Sequence, residues 1–314
     1  MKKYKRILSL AIAFIIIFAA GCSSKITNTA ESTSKAQPVN NGSTYPMTIK
    51  DYNNRSVTID KEPVRVISIA PNITETIYAL GMGSKLIGRT DFCTYPEEVK
   101  NVASIGYLDK PNIEKITELK PDIVIASNQL KEDADKKLAE LGIKVIVISG
   151  EESFEGVYQV IEKTGQVLNA RAKADEIVAG MKKKIQEVEE KVKGKNKPVA
   201  YYVVDYGKAQ FTAGKDTFIG KMLEMAGAKN AADDVTGWSY SLEKLVEKNP
   251  DIMICSKYFD AKKGIQSTNG YKDLKAVKEN KLYEIDNDML DRQGPRLADG
   301  LLELAKIVHP EAFK

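Results

Sequence analysis

The chain has 314 residues, 43% hydrophobic and 29% charged, so it is long enough to form a large folded core. Four of its 47 basic residues lie in the first six positions, and the other 43 balance the 43 acidic residues. This balance, without a basic patch that includes aromatics, predicts no nucleic-acid partner. The single histidine argues against multi-histidine zinc sites, and no Gly-x-Ser-x-Gly motif occurs. We therefore predict no enzyme activity, no metal site and no cofactor.

The N-terminus has the charge and length of an export signal. Four basic residues precede an apolar run over 7–20, which is shorter than the roughly 20 apolar residues of a membrane-spanning helix. The run ends in Phe-Ala-Ala-Gly before Cys22, which resembles a lipoprotein cleavage box. The resemblance implies removal of residues 1–21 and acylation of Cys22, for example with palmitate. A plain signal peptide or a short membrane anchor is the alternative.

A polar segment and two further cysteines follow. Residues 22–46 are rich in Ser, Thr, Asn, Gln and Lys, and such a composition predicts a flexible tether. Cys93 and Cys255 are far apart in sequence. An exported protein can form disulfides, but a covalent clamp suits a ligand cleft poorly. We therefore favour two free thiols over a bridge.

Strands and helices alternate over residues 47–168, the predicted N-terminal lobe. The expected elements are a hairpin over 47–59 with an Asn53-Asn54 turn, a strand over 64–70, a helix from Asn72 to Leu80 that ends at Gly81, a strand over 86–88, a helix and strand over 113–127, a helix over 130–141 and a strand over 144–148. Alternation at these lengths is typical of a parallel sheet covered by helices.

Residues 169–194 contain no proline and one interior glycine, Gly180, and their apolar residues recur at three- and four-residue steps. This pattern predicts one amphipathic helix of roughly 24 residues, about 36 Å long at 1.5 Å per residue. We interpret it as a rigid strut between two lobes. The C-terminal lobe, 195–314, is expected to contain strands over 199–204 and 282–285, helices over 217–226 and 296–308, and His309 as a solvent-exposed helix end.

Two segments, 113–127 and 242–256, are near-copies of each other, with eight of fifteen positions identical. Each consists of a predicted short helix, a Pro-Asp turn and a buried strand, because proline cannot continue the helix. One repetition does not make a solenoid. It indicates two similar α/β lobes with parallel-rich sheets and a ligand cleft between them.

An ordered set of short motifs carries a family resemblance over 48–310. The set comprises Arg65–Pro71, Thr74-Glu75, Leu80-Gly81, Tyr95-Pro96, Ile113-Glu114 with Leu119–Asp122, Phe211–Gly214, Ala226–Ala228, Gly237-Trp238, Leu242-Glu243 with Pro250-Asp251, and Gly294–Arg296. Together they resemble the solute-binding lipoproteins of ATP-driven importers for vitamin B12, ferric siderophores and haem. The resemblance implies two α/β lobes joined by one long rigid helix.

Within that family the chain is most similar to the cobalamin binders. The resemblance implies ligand contacts at a set of residues in both lobes: Phe92, Tyr107, Leu108, Phe211, Trp238, Asp288 and Arg292. A flat, amide-fringed macrocycle suits aromatic and aliphatic walls with a few polar groups. Cobalamin binders often carry tryptophans in the first lobe where this chain has Leu108 and Ser127.

Each of these contacts has a simpler alternative reading. Trp238 could be a core residue, and Asp288 could pair with Arg292 at the surface. Tyr95, before Pro96, is more simply explained as structural.

The resemblance also gives Glu114 and Glu243 a role, in which one glutamate of each lobe docks onto arginines of a dimeric ABC permease that works with its ATPase. The repeat supports this role independently, because the two residues occupy equivalent positions. The alternative is that Glu114 and Glu243 are simply carboxylates in the first turn of a helix, where the helix dipole favours negative charge. We expect a monomer outside the cytoplasm, attached to the cell membrane through Cys22.

The ligand alternatives are a ferric siderophore and haem. An anionic siderophore would need cations in the cleft, for which Arg89, Arg292 and Arg296 are candidates. Haem usually needs an axial His, Met or Tyr, and His309 lies in the C-terminal tail. A surface hydrolase would require a nucleophile and base that the sequence lacks.

Overall fold

A computed structural model describes residues 43–207 and 210–314. The predicted signal peptide, most of the predicted tether and the predicted lipidation site at Cys22 lie outside these residues. Ser43 and Tyr45, near the end of the predicted tether, donate hydrogen bonds to the backbone oxygens of Gln166 and Val167. Within the described residues, no helix combines the length and apolar character needed to cross a membrane.

The N-terminal lobe has a small antiparallel hairpin and a five-stranded parallel sheet ordered β5-β4-β3-β6-β7. Its elements are β1 (Met47–Lys50), β2 (Ser56–Ile59), β3 (Val66–Ile69), α1 (Pro71–Ala79), β4 (Leu86–Arg89), β5 (Ala103–Ser104), α2 (Ile113–Leu119), β6 (Ile123–Ala126), α3 (Glu132–Glu140), β7 (Val145–Val147) and α4 (Phe154–Val167). Strands β3, β6 and β7 are buried along their whole length, as expected for a sheet with helices on both faces. Helix α1 begins at Pro71 rather than at Asn72, because proline is well suited to the first position of a helix.

The long helix α5 (Arg171–Val192) has 22 residues and packs against α4 of the first lobe. One face, which includes Val178, Met181 and Ile185, is buried in an apolar cluster that also contains residues of both lobes. Its position and length confirm the predicted strut.

The C-terminal lobe contains a four-stranded parallel sheet ordered β11-β10-β8-β9. Its elements are β8 (Val199–Val203), α6 (Phe218–Met225), β9 (Lys229–Asn230), α7 (Leu242–Lys248), β10 (Ile252–Ser256), α8 (Ala261–Ser267), α9 (Lys275–Lys278), β11 (Leu282–Ile285), α10 (Asp288–Asp291) and α11 (Leu297–Val308). Helix α11 packs against α5, so the strut touches both lobes. Three short 3₁₀ helices, Gly83–Lys85, Glu97–Asn101 and Pro310–Phe313, complete the assignment of the described residues.

The two sheets share one topology. In each, the first strand (β3 or β8) lies between the second (β4 or β9) and the strand of the repeated segment (β6 or β10), and the last strand (β7 or β11) lies beyond that one. The N-terminal sheet has the edge strand β5 in addition. The repeated segments form α2 with β6 and α7 with β10. The prediction of two similar α/β lobes is therefore confirmed.

Two sequence predictions about reactive side chains have different outcomes. Cys93 and Cys255 are free and buried, as favoured. His309 was predicted to be solvent-exposed, and this was wrong. It is 4% exposed, and its Nε2 lies 3.1 Å from the backbone oxygen of Gly227. The turn at Gly227, which has φ of +86°, leaves room for the ring.

Candidate functional site

A cleft lies between the lobes at the carboxyl ends of both parallel sheets, where α/β proteins commonly bind ligands. It contains cavities of about 450 and 250 Å³ that adjoin at Asp291. The larger is lined by Ala70, Pro71, Asn72, Phe92, Leu108, Ser127, Asn128, Gln129, Ser149, Gly150, Glu152, Asp288, Asp291, Arg292 and Gln293. The smaller is lined by Tyr202, Val203, Val204, Trp238, Ser256, Asn287 and Asp291.

Each lobe contributes one large exposed aromatic side chain to the cleft, while Tyr202, which also lines it, is buried. Phe92, from the N-terminal lobe, is 45% exposed and Trp238, from the C-terminal lobe, is 42% exposed. Trp238 is therefore not a core residue. Both aromatics have free surface that a ligand can cover.

Two further predicted aromatics adjoin these walls. The Tyr107 ring lies 5.8 Å from that of Phe92, and Phe211 forms a β-bridge with Ser239, next to Trp238. Neither Tyr107 nor Phe211 is among the described residues that line the two cavities. Of the seven predicted contacts, the structure thus brings five to the cavity walls and places these two beside them.

The floor of the cleft contains an ion-pair network that joins the lobes. Glu75, on α1, accepts hydrogen bonds from Arg292 Nη1 at 2.9 Å and from Arg296 Nε and Nη2 at 2.8 and 2.7 Å. Its side chain is 2% exposed. The Arg296 guanidinium also lies 4.0 Å from the centre of the Tyr95 ring, so Tyr95 has a structural contact. Burial lowers the pKa of Arg296, but the hydrogen bonds and charge of Glu75 outweigh it, and the pKa is raised.

Carboxylates surround this network. Asp288 Oδ2 lies 2.7 Å from Arg292 Nη2, so the two predicted residues pair with each other and also line the cleft. Burial raises the pKa values of Asp288 and Asp291, and Asn287 Nδ2 donates to Asp291 at 2.7 Å. Burial would also raise the pKa of Asp286, but hydrogen bonds from Lys257 and Tyr258 lower it. Glu75 and Asp288 together hold Arg292 in place.

Most of the polar lining was missed by sequence reasoning. Five side-chain amides and three serine hydroxyls line the two cavities: Asn72, Asn128, Gln129, Asn287, Gln293, Ser127, Ser149 and Ser256. All lie at the end of a strand or helix or within three residues after it, and that position was the available signal. No cluster of metal-ligating side chains occurs within residues 43–207 and 210–314.

The repeated helices begin beside the cleft. Asn112 Oδ1 caps α2 and Ser241 Oγ caps α7, each accepting the backbone N–H three residues on. Leu108 and Trp238, which line the cavities, precede these helices by a few residues. Glu114 and Glu243 are therefore exposed in equivalent first turns near the cleft mouth.

The aspartate of the repeated Pro-Asp turn makes the same kind of contact in both lobes. Asp122 Oδ2 accepts the backbone N–H groups of Val64 and Arg65, both at 2.9 Å, and Asp251 Oδ2 accepts that of Val199 at 3.0 Å. In each lobe the aspartate fixes the repeat to the start of the first strand. The sequence repeat thus encodes a repeated tertiary contact.

Comparison with known proteins agrees with this architecture. The profile of the family described as periplasmic binding protein matches residues 66–289. The chain is 40% identical over 277 residues to the uncharacterized ABC transporter substrate-binding lipoprotein YvrC of Bacillus subtilis, covering 86% of this chain and 88% of that protein. It is 27% identical to a cobalamin-binding protein of Halobacterium salinarum, covering 84% and 74% of the two chains.

Two solved structures have the same fold. A possible iron-binding, periplasmic solute-binding protein of Staphylococcus epidermidis has a TM-score of 0.69 and 32% identity, covering 79% of this chain and all of that one. The heme-binding protein RhuT of Roseiflexus has a TM-score of 0.72 and 25% identity, covering 79% and 98%. The family consists of solute-binding proteins that carry transported ligands and are not enzymes. The chain belongs to this periplasmic binding protein family, the substrate-binding component of ABC importers.

Proposed function

We propose that the protein captures cobalamin or a related corrinoid outside the cytoplasm and delivers it to an ABC importer. The observation that carries the proposal is the chemistry of the cleft lining. Five side-chain amides and two aromatic walls surround the cavities. A corrinoid presents a flat macrocycle edged with amides, and amide side chains can both donate to and accept from such an edge.

The charge of the lining favours this ligand over anionic ones. Arg292 is the sole cation among the described residues that line the two cavities, and it is already paired with Glu75 and Asp288. Arg296 is likewise paired with Glu75, and Arg89 lies 3.6 Å from Asp91. An anion such as molybdate, haem with its carboxylates, or an anionic siderophore would have to displace a carboxylate to gain a cation.

The test is a panel of ligands on the purified mature protein. Aquocobalamin and cyanocobalamin are expected to co-elute with it and to quench the fluorescence of Trp238, its sole tryptophan. Haemin, molybdate and a ferric siderophore are expected to bind at least about tenfold more weakly. Unchanged emission with both cobalamins, together with tight binding of a siderophore, would replace the corrinoid with an iron chelate. That result would leave the transport role intact.

We also propose that Glu114 and Glu243 dock the protein onto its permease. One exposed carboxylate on each lobe could bind one arginine fork on each half of a two-fold symmetric permease. Changing both to alanine is expected to leave ligand affinity unchanged and to reduce uptake by cells more than either single change.

The chain offers a matched control for this test. Glu118 and Glu247 occupy equivalent positions one turn further along the same helices and are also exposed. Their double alanine variant removes the same total charge, and we expect normal uptake. Equal uptake by the Glu114/Glu243 and Glu118/Glu247 double variants would exclude the docking role.

The proposal includes a lipid anchor at Cys22. Acylation would keep the protein at the membrane that holds the importer. Mass spectrometry of the mature N-terminus is expected to show a lipid-modified Cys22, and Cys22→Ser is expected to move the protein from the membrane fraction to the medium or periplasm. An unmodified N-terminus with a different cleavage site would exclude the anchor.

A further inference from the structure

The carboxylate of Glu75 is the main polar tie between the lobes at the cleft floor. Glu75 belongs to the N-terminal lobe, whereas Arg292 and Arg296 lie between α10 and α11 of the C-terminal lobe. Three hydrogen bonds of 2.7–2.9 Å cross the boundary between the lobes, here called the seam, to this one nearly inaccessible carboxylate. Glu75 is not among the described residues that line the two cleft cavities, so it lies behind the site rather than in its wall.

Arg292 transmits this tie to the cavity wall. Its Nη2 donates to the Thr94 hydroxyl at 2.9 Å and to the backbone oxygen of Phe92 at 3.2 Å, and it lies 2.7 Å from Asp288. One guanidinium therefore fixes the backbone that carries the N-terminal aromatic wall and an acidic residue of the C-terminal lobe. Because Glu75 fixes the position of Arg292, it indirectly fixes the positions of Phe92 and Asp288 in the cavity wall.

We propose that Glu75 is a positioning residue that sets the separation of the lobes for ligand capture. The inference relies on the proposed function in one respect, because it takes the cleft as the ligand site. Without the Glu75 carboxylate, Arg292 and Arg296 would keep Asp288 and Asp286 of their own lobe as partners but would lose their carboxylate partner in the N-terminal lobe. Separation of the lobes would then let water solvate the groups left unpaired at the boundary. The apparent affinity would then fall with the fraction of molecules that keep the binding-competent arrangement.

An engineered disulfide across the seam can replace the hydrogen bonds that Glu75 makes between the lobes. A Cβ built on Gly294 would lie 3.7 Å from the Cβ of Asn72, within the roughly 3.5–4.5 Å found in disulfides. These residues belong to opposite lobes, and Asn72 Nδ2 already donates to the backbone oxygen of Gln293 at 3.2 Å. A disulfide between Asn72→Cys and Gly294→Cys would hold the lobes in the observed arrangement without Glu75. Cys93 and Cys255 are buried and would not compete for it.

The experiment compares four proteins: wild type, Glu75→Gln, the Asn72→Cys/Gly294→Cys staple, and the staple with Glu75→Gln. Radius of gyration without ligand and affinity for cyanocobalamin are measured for each, oxidised and after dithiothreitol. For Glu75→Gln we expect a larger radius and an affinity at least about tenfold lower. Because Asn72 itself lines the cleft, the reference is the oxidised staple that keeps Glu75. Oxidation of the stapled Glu75→Gln protein should bring its radius and affinity to those of this reference, and reduction should remove both gains.

Two controls separate positioning from other roles. Glu98 lines a neighbouring cavity with Glu75 and has no cationic partner among the described residues, so Glu98→Gln should change nothing. Thermal melts check folding. If Glu75→Gln does not fold, Arg296→Lys, which keeps the charge but loses the two-pronged bond, takes its place with the same expectations.

The inference is overturned if Glu75→Gln keeps the wild-type radius and affinity. It is also overturned if the oxidised stapled Glu75→Gln protein recovers the radius of the oxidised staple that keeps Glu75 but not its affinity, because Glu75 would then act on the ligand directly. If wild type does not bind cyanocobalamin, the corrinoid proposal fails. The radius and its recovery by the staple then still decide the role of Glu75.

Discussion

Replacing Trp238 with alanine measures how much this aromatic side chain contributes to ligand affinity. The side chain is 42% exposed at the cleft; of the roughly 250 Å² that a tryptophan can bury, about 100 Å² is thus available to a ligand. At about 25 cal/mol per Å², full coverage contributes about 2.5 kcal/mol, or about 70-fold in Kd. Because alanine keeps part of the contact, we expect Trp238→Ala to weaken cobalamin binding by about 20- to 70-fold.

The opposite wall should behave independently. Phe92 is 45% exposed, which leaves roughly 90 Å² for a ligand and about 2 kcal/mol in the same estimate. A ligand that spans the cleft touches both walls, and distant substitutions usually add. The double variant should therefore lose about three orders of magnitude in affinity, the product of the single effects.

The assay must not depend on tryptophan emission, because Trp238→Ala removes the fluorophore. Titration calorimetry with cyanocobalamin, supported by thermal melts, measures affinity and folding separately. Leu141→Ala is the matched control, because Leu141 is 48% exposed at the end of α3 away from the cleft. Unchanged affinity in both single variants would refute the assignment of these side chains as ligand walls. A double variant no weaker than the singles would show that the ligand contacts one lobe only.

Three further predictions concern motion, stability and pH. Because bending α5 would break consecutive hydrogen bonds and the Glu75 network already holds the lobes together, we expect ligand to leave the radius of gyration of the wild-type protein unchanged in small-angle scattering; a marked decrease would refute this. Asp122→Ala should lower the unfolding free energy by about 1.5–3 kcal/mol, since it removes two bonds to a charged acceptor, and urea titration would measure the loss. The pKa of Asp286 is lowered, so its contribution is present at neutral pH and lost as the pH falls below 3.8. The difference in unfolding free energy between wild type and Asp286→Asn should therefore shrink on acidification, and a constant difference would contradict it.

The fold was predictable because its signals are local. The 3.6-residue period of apolar residues identifies α5 from sequence alone. The helix-turn-strand repeat identifies α2 and α7 as equivalent helices of two similar lobes. Helix α4, Phe154–Val167, was not predicted from the sequence, although Ser153 caps it and its apolar residues fall on one buried face. Strand β5 has two residues, too few for any periodicity.

The candidate site residues came from the family resemblance. Phe92 and Trp238 were named from their positions among its motifs, and the structure places both at the cavity walls. Glu75 could not be assigned a role, because its partners Arg292 and Arg296 lie more than 200 positions away. The burial of His309 escaped prediction for the same reason, since Gly227, which accepts its contact, belongs to another element.

The end of each lobe at which a residue lies indicates its role. Strands of both sheets end at the cleft, and α2 and α7, which run back against these strands, begin there. The proposed ligand walls lie at this end of the lobes, and the proposed docking residues Glu114 and Glu243 lie in the first turns of the two helices. The far ends of the same helices, at Lys120 and Asn249, take the left-handed conformation that stops each helix before the Pro-Asp turn. A permease that binds the carboxylates would meet the open cleft directly, so a ligand released there need not cross the protein surface.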